Sequence, residues 1–279
     1  MQEHNRLIIF DLDGTLYEDT HHFDYYAKKL CEKLSEPKRK LFTHDYQAVL
    51  EGKHPLKMGT IFDVEKDLIL TQDHGRVTYA CTWEGQPLEQ ETVEKFYPST
   101  LNFDFHSILN IGDLWWIPAA IARHYGITDQ DAECSFIETR EYMMSPRFQM
   151  REVPDFKQVL KQLAIHSKLI LLTNSPKRDS EVLLSKLGFQ HLFDKKIFDG
   201  KKPMKTKEHI KMIKESYLVE YNQILSIGDN VINEISPAKE LGCQTILIDS
   251  HGISAPSQAD RIVQNLTELV DILKQISQS

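Results

Sequence analysis

Arg6-Leu-Ile-Ile-Phe-Asp-Leu-Asp-Gly-Thr-Leu-Tyr17 is the stretch on which the reading of this chain turns. Leu7 to Phe10 form an apolar run too short for a helix and closed by a turn signal, so it reads as a buried strand. Asp11 and Asp13 stand at the end of that strand, and Gly14-Thr15 turn the chain. Alternation along an extended segment points both carboxylates one way and sends Leu12 back toward the core. Open α/β sheets bind ligands at the carboxyl ends of their strands. Two acids side by side there are costly without a positive charge between them, and a hard cation such as Mg²⁺ takes carboxylate oxygens. The plainer reading is a strand followed by an Asp-Gly turn, which occurs in any protein. The rest of the chain decides between the two.

Downstream of about Pro154 strands and helices alternate. Phe156 to Ala164 reads as a helix, Lys168 to Leu172 as a strand, and Asp179 to Leu187 as a helix closed by Gly188. Lys196 to Phe198, Gln223 to Ile227, Gln244 to Ile248 and Arg261 to Val263 read as further strands. Thr206 to Ser216, Pro237 to Leu241 and Leu266 to Ile276 read as helices. Such alternation implies right-handed βαβ units and a parallel sheet, to which the first strand belongs. The expected fold is α/β, a Rossmann-like doubly wound parallel sheet formed by residues 1–16 and 151–279.

Residues 17–150 lack the alternation and are expected to form a mostly helical unit inserted after the first strand. Tyr25, Tyr26, Leu30 and Leu34 have helical spacing up to a stop near Pro37, and a second helix follows over Arg39 to Leu50. Asp67 to Thr71 and Arg76 to Trp83 read as a β-hairpin joined by Gln72-Asp-His-Gly75. Helices are expected over Glu89 to Tyr97, Leu114 to Tyr125 and Asp131 to Met144, with Gly126 as a C-terminal stop. The hairpin suits a lid edge or a dimer surface, and the residues do not choose. Oligomeric state stays open.

Bulk properties narrow the function classes. The 279 residues suffice for one large or two medium domains, and 41% hydrophobic with 27% charged content is ordinary for a soluble globular protein. A formal net charge of -8 argues against nucleic acid or an anionic membrane as partner. No apolar run approaches the roughly 18 residues that span a bilayer. Met1 to Asn5 is polar and runs straight into the first strand, so no signal peptide is expected. Cys31, Cys81, Cys134 and Cys243 show no paired spacing, which fits reduced thiols in the cytoplasm and no zinc site. There is no internal repeat or low-complexity tract.

Four strands end in chemically useful residues. They are Asp11 with Asp13, Thr173 with Asn174, the Lys201-Lys202-Pro203 turn, and Asp229 with Glu234. In a doubly wound sheet these ends share one edge, so residues distant in sequence can converge. Asp229 joins Asp11 in holding a divalent cation, while the lysine and the hydroxyl suit an anion, phosphate best. In these four motifs, Asp11-Leu-Asp-Gly-Thr15, Leu171-Leu-Thr-Asn-Ser175, Lys202-Pro203 and Gly228-Asp-Asn-Val-Ile-Asn-Glu234, the chain resembles the haloacid dehalogenase (HAD) superfamily of aspartate-nucleophile hydrolases. The insertion sits at that family's first cap position but is longer than the usual helical cap, and its hairpin is an addition.

The resemblance implies a Mg²⁺-dependent phosphatase acting on a small phosphorylated metabolite. Asp11 would attack phosphorus to form an aspartyl-phosphate. Asp13 would protonate the leaving oxygen and later activate water. Mg²⁺ would be held by Asp11, Asp229 and the main-chain carbonyl of Asp13, with Asn230 and Glu234 in support. Thr173, amides near Asn174, and Lys202 would bind the phosphoryl oxygens. A mobile cap would close over the site and select the leaving group. Dehalogenases and phosphonatases of this kind lack the acid at the Asp13 position, whereas phosphomutases share it. A phosphomutase on a sugar phosphate, or a non-catalytic binding module keeping the fold, are the rivals.

Two departures bear on these roles. Glu234 stands where aspartate is commoner, so its extra methylene suggests a reach to the metal through water. Lys201, Lys202, Lys205 and Lys207 crowd one segment; Pro203 favours Lys202, and Lys205 and Lys207 read as a solvated basic turn. Elsewhere, Tyr17 and Asp19 are the best candidates for substrate contact beyond the motifs. His21-His22 could touch substrate or a second metal, but a polar helix start is the plainer reading. Trp115-Trp116 could line a pocket, against packing between helices. Arg123, Arg140 and Arg147 could bind a second anion, against simple exposure.

Overall fold

The computed structural model describes residues 6–278 apart from 74, 105, 251 and 253. The stretch read as lacking a signal peptide, and His74 of the expected hairpin turn, lie outside the described residues. The chain divides into two compact units, Met1–Asp19 with Met143–Ser279, and Thr20–Tyr142. The inserted unit is thus shorter at both ends than the 17–150 span read from sequence.

The first unit opens with β1 (Arg6–Phe10). The second carries α1 (His21–Lys33), α2 (Glu36–Leu50), β2 (Ile61–Asp63), β3 (Leu68–Asp73), β4 (Arg76–Thr82), α3 (Gln90–Phe96), β5 (Ile108–Asn110), α4 (Trp116–His124) and α5 (Asp129–Met144), whose last turn crosses the boundary. The first unit resumes with α6 (Phe156–His166), β6 (Ser167–Leu172), α7 (Lys177–Leu187), β7 (Lys195–Ile197) and α8 (Thr206–Tyr217). It ends with β8 (Ile224–Gly228), α9 (Ser236–Glu240), β9 (Gln244–Ile248), β10 (Arg261–Val263) and α10 (Leu266–Ser277). No helix among the described residues is long and apolar enough to cross a membrane.

The architecture is α/β. The six strands of the first unit form one parallel sheet in the order β10-β9-β8-β1-β6-β7. β1 lies between β6 and β8, with Phe10 level with both Leu171 and Ile227. Helices cover a parallel sheet on both faces, so a central strand is apolar throughout rather than alternating. Leu7, Ile8, Ile9 and Phe10 are accordingly all buried, each contributing on the order of 1.5–3 kcal/mol of transfer free energy. The covering helices show the matching period: Phe156, Val159, Leu160 and Leu163 of α6 are buried, as are Leu266, Leu269, Val270 and Leu273 of α10. Because β1, β6 and β8 run the same way, the loops after Phe10, Leu172 and Gly228 emerge at one edge.

The second unit corrects two sequence readings. The hairpin is half of a four-stranded antiparallel sheet, β4-β3-β2-β5. β2 and β5 have three residues each, too few to show a period of two. Pro37 does not end the first helix; α1 stops at Lys33, and Pro37 sits in the first turn of α2, where its missing N–H is not needed. Tyr26 and Leu30 of α1, Phe42 of α2, Phe62 of β2 and Ile117 and Ile121 of α4 pack into one apolar core with Trp83.

Candidate active site

Asp11 leaves β1 with its amide donating to the Ile227 carbonyl of β8 at 3.1 Å, so the sheet itself fixes where the carboxylate starts. Its partner comes from the loop after β7. Lys202, 2% exposed, sends Nζ to Asp11 Oδ1 at 2.6 Å and to Glu234 Oε1 at 2.5 Å. Burial alone would depress this ammonium, but the two carboxylates facing it hold it above the ordinary lysine value. Asn174 secures the lysine's backbone from the loop after β6. Lys202 N donates to Asn174 Oδ1 at 2.7 Å, and Asn174 Nδ2 donates to the Lys202 carbonyl at 3.0 Å.

Glu234 belongs to a π-helical turn, Val231–Ile235, after β8. Oε1 faces Lys202 and Oε2 accepts from the Asn230 amide at 3.0 Å. The sequence suggests a reach to the metal through water; in the structure one oxygen of the longer side chain meets the lysine and the other the Asn230 amide. Burial pushes Glu234 up to about 8 against the pull of Lys202, and Asp11 adds to the rise. Burial raises Asp11 too, with Lys202 opposing and Asp13 adding. Two buried carboxyls share one buried ammonium, and burial together with the crowding raises both of them.

Asp13 has different partners. Gly14 adopts φ +76°, which a residue with a Cβ rarely takes, and Leu16 N donates to the Leu12 carbonyl at 2.9 Å. This turn brings Tyr17 back so that its hydroxyl donates to Asp13 Oδ1. Ser175 Oγ donates to Asp13 Oδ2 at 2.6 Å. Ser175 is set in turn by its amide, which donates to Thr173 Oγ1 at 3.0 Å. As the acceptor in that bond, the Thr173 hydroxyl keeps its own proton to donate. Tyr17, expected to meet substrate, is 1% exposed and directs its hydroxyl to Asp13. Asp19 accepts the Arg151 amide at 3.0 Å, an anchoring contact of the chain. Ser175 was not singled out in the sequence; its meaning depends on β6 lying beside β1.

The family model of haloacid dehalogenase-like hydrolases matches residues 5–242. The chain belongs to that family. Among solved structures, YfnB of Bacillus subtilis, provisionally described as a HAD-hydrolase and solved bound to magnesium, shares 16% identity with a TM-score of 0.54, over 97% of this chain and 99% of that one. A predicted phosphoglycolate phosphatase of Haemophilus somnus shares 17%, with a TM-score of 0.54, over 98% and 99%. The L-2-haloacid dehalogenase RSc1362 shares 15%, with a TM-score of 0.50, over 96% and 98%. At such identity these likenesses speak for the fold alone. No curated protein matches by sequence.

In this HAD-like hydrolase Asp229 lies against the turn after β1. A Cβ built on Gly14 would collide with Asp229 Oδ2, so glycine leaves the room in which that carboxylate packs against the turn after β1. Asp11, Asp229 and the Asp13 carbonyl offer hard oxygen donors only. Next to Gly14 and Asp229 in sequence, Thr15 Oγ1 and Asn230 Nδ2 are buried without a hydrogen-bond partner, while Asn230 Oδ1 accepts the Ile232 and Asn233 amides. No group of three or more His, Cys, Asp and Glu side chains gathers for a metal among the described residues. Two carboxylates and a main-chain oxygen nevertheless suit Mg²⁺, which is held by one or two carboxylates and keeps several waters.

The remaining candidates of the HAD-like hydrolase have contacts of their own. Lys207 pairs with Glu240, in line with a solvated basic turn. His22 is buried 5.1 Å from the Trp115 ring, and Trp115 meets Tyr26 and Phe136 edge-on. Arg123 pairs with Asp129 at 2.6 Å, and Arg140 is buried over the Phe136 ring. Arg147 is exposed.

Proposed function

We propose that this HAD-like hydrolase is a Mg²⁺-dependent phosphatase that hydrolyses a small phosphorylated metabolite through an aspartyl-phosphate on Asp11. The observation that carries the reading is Asp13, an acid two residues beyond the nucleophile, held by two hydroxyl donors. An alkoxide needs a proton to leave, whereas a halide does not, so a dehalogenase has no use for an acid there. Lys202 supports the same reading. Its buried charge abuts Asp11 and would meet a phosphoryl oxygen without reorganising.

In the first step the Asp11 carboxylate attacks phosphorus, the ester P–O bond breaks, and Asp13 gives its proton to the departing oxygen. In the second, Asp13 takes a proton from water, whose oxygen attacks phosphorus. The bond to Asp11 breaks and inorganic phosphate leaves. The Thr173 hydroxyl and the Lys202 ammonium stabilise the phosphoryl oxygens, and Glu234 and Asn174 keep Lys202 in place. Mg²⁺, held by Asp11, Asp229 and the Asp13 carbonyl, would offset repulsion between carboxylate and phosphate.

The test is phosphate release from a panel of phosphorylated metabolites and p-nitrophenyl phosphate, with Mg²⁺ and with EDTA. Release that requires Mg²⁺ and vanishes in Asp11→Asn supports the phosphatase. Isomer formation with little free phosphate would point to a mutase. No turnover by folded protein with Mg²⁺ would point to a binding module.

A further inference from the structure

We propose that Tyr17 and Ser175 are the positioning residues of Asp13, clamping its carboxylate from both sides so that its proton is aimed at the leaving-group oxygen. The inference rests on the reading of Asp13 as the proton donor to that oxygen. Each oxygen of the carboxylate has its own hydroxyl donor, Tyr17 on Oδ1 and Ser175 on Oδ2. An aspartate side chain otherwise hops among staggered rotamers, and a misplaced acid forfeits much of the gain of proximity.

The two donors are better fixed than the group they hold. Tyr17 is 1% and Ser175 8% exposed, while Asp13 is only half-buried. The Tyr17 backbone bridges to that of Asp13. The Ser175 amide is tied to Thr173 Oγ1, and its carbonyl accepts the Asp199 amide at 3.3 Å. The clamp therefore spans two neighbouring strands of the sheet, one jaw on the loop after β1 and the other on the loop after β6. Packing alone explains the ring of Tyr17 and the small volume at Ser175. It does not explain why two buried hydroxyls both converge on one carboxylate.

The mechanism supplies a readout that packing would not move. An alkyl phosphate needs the Asp13 proton as its alkoxide departs, whereas p-nitrophenolate is a stable anion and leaves without it. General acid catalysis is worth roughly 10²–10⁴-fold, and a loosened acid loses part of that. In the presence of Mg²⁺, Tyr17→Phe and Ser175→Ala should each lower kcat/KM for an alkyl phosphate by about 10–100-fold, with p-nitrophenyl phosphate falling far less. Ser175→Thr keeps the hydroxyl and should restore most of the loss. In an Asp13→Asn background, Tyr17→Phe should add nothing further on the alkyl ester, because it acts only through Asp13. Tyr17→Phe retains the ring that fills the core, so one variant tests the hydroxyl alone even if Ser175→Ala misfolds; circular dichroism monitors both. Equal losses on the two esters, or no loss on either, would overturn the clamp while leaving the phosphatase reading standing. Hydrolysis of neither ester by the unmodified protein would overturn the phosphatase reading and the clamp with it.

Discussion

Lys202 Nζ lies 2.6 Å from Asp11 Oδ1, a pair joined across two strand ends of one sheet and sealed from solvent. Breaking a buried pair by removing one partner costs about 3–5 kcal/mol, because the other charge stays buried. Lys202→Met should therefore lower the free energy of unfolding by about 3 kcal/mol, read from urea denaturation, and reduce kcat by on the order of 10²–10³-fold. Adding Glu234→Gln removes one of the two carboxyls left without the lysine. It should recover part of the stability and none of the activity.

Gly14 and Asp229 make a second testable contact. Ala at position 14 combines an unfavourable positive φ with a Cβ that would strike Asp229 Oδ2. Gly14→Ala should weaken Mg²⁺ binding by about 10–100-fold, as displaced supporting contacts commonly do, while the circular dichroism spectrum is kept. Isothermal titration with Mg²⁺ reads this directly. Unchanged affinity would place the cation elsewhere.

The inserted unit should lose stability on mild acidification. His54 lies tilted against Trp83, with ring centroids 4.7 Å apart, and its Nδ1 accepts the Leu56 amide at 3.0 Å, so the fold favours neutral imidazole. Burial lowers its pKa below the ordinary 6.5, Asp45 and Glu84 opposing and His124 and His44 adding. As pH falls through that ordinary value the unfolded chain binds a proton before the folded one does, so stability drops below it. Asp45 adds a second loss at lower pH. Its hydrogen bonds from Tyr125, Trp83 and His44 outweigh burial and hold its pKa down. Thermal melts followed by tryptophan fluorescence should fall between about pH 7.5 and 5.5, and His54→Gln should flatten that slope.

Thiol labelling separates the cysteines. Burial pushes Cys243 up to about 12 and raises Cys81, which Tyr79 opposes, whereas Cys134 is exposed. Only thiolates react. Native protein should lose Cys134 to an aromatic disulfide reagent first, with Cys81 and Cys243 reacting only in denaturant.

What was legible in the sequence follows from where the physics is local. A strand buried on both faces reads as an apolar run, so Leu7 to Phe10 and Leu169 to Leu172 were visible, and so were the polar residues that end them. Ile61 to Asp63 and Ile108 to Asn110 were not, because three residues carry no periodicity and the pairing of the two with each other joins segments distant in the chain. Lys202 stood out beside Pro203, yet its bond to Glu234 depends on the π-helical turn after β8, which has no sequence signature. Ser175 was silent for a related reason. Nothing in the chain relates it to Asp13, 162 positions away, until β1 and β6 pair.

In the proposed mechanism Asp11 becomes covalently phosphorylated during turnover. Acid-quenching the Mg²⁺-loaded protein within a turnover of its best phosphate ester, then mapping peptides by mass spectrometry, tests it. A phosphoryl adduct on Asp11, absent in Asp11→Asn, is the predicted result. Turnover of the ester with no adduct on Asp11, or with the adduct on another residue, would contradict nucleophilic attack by Asp11.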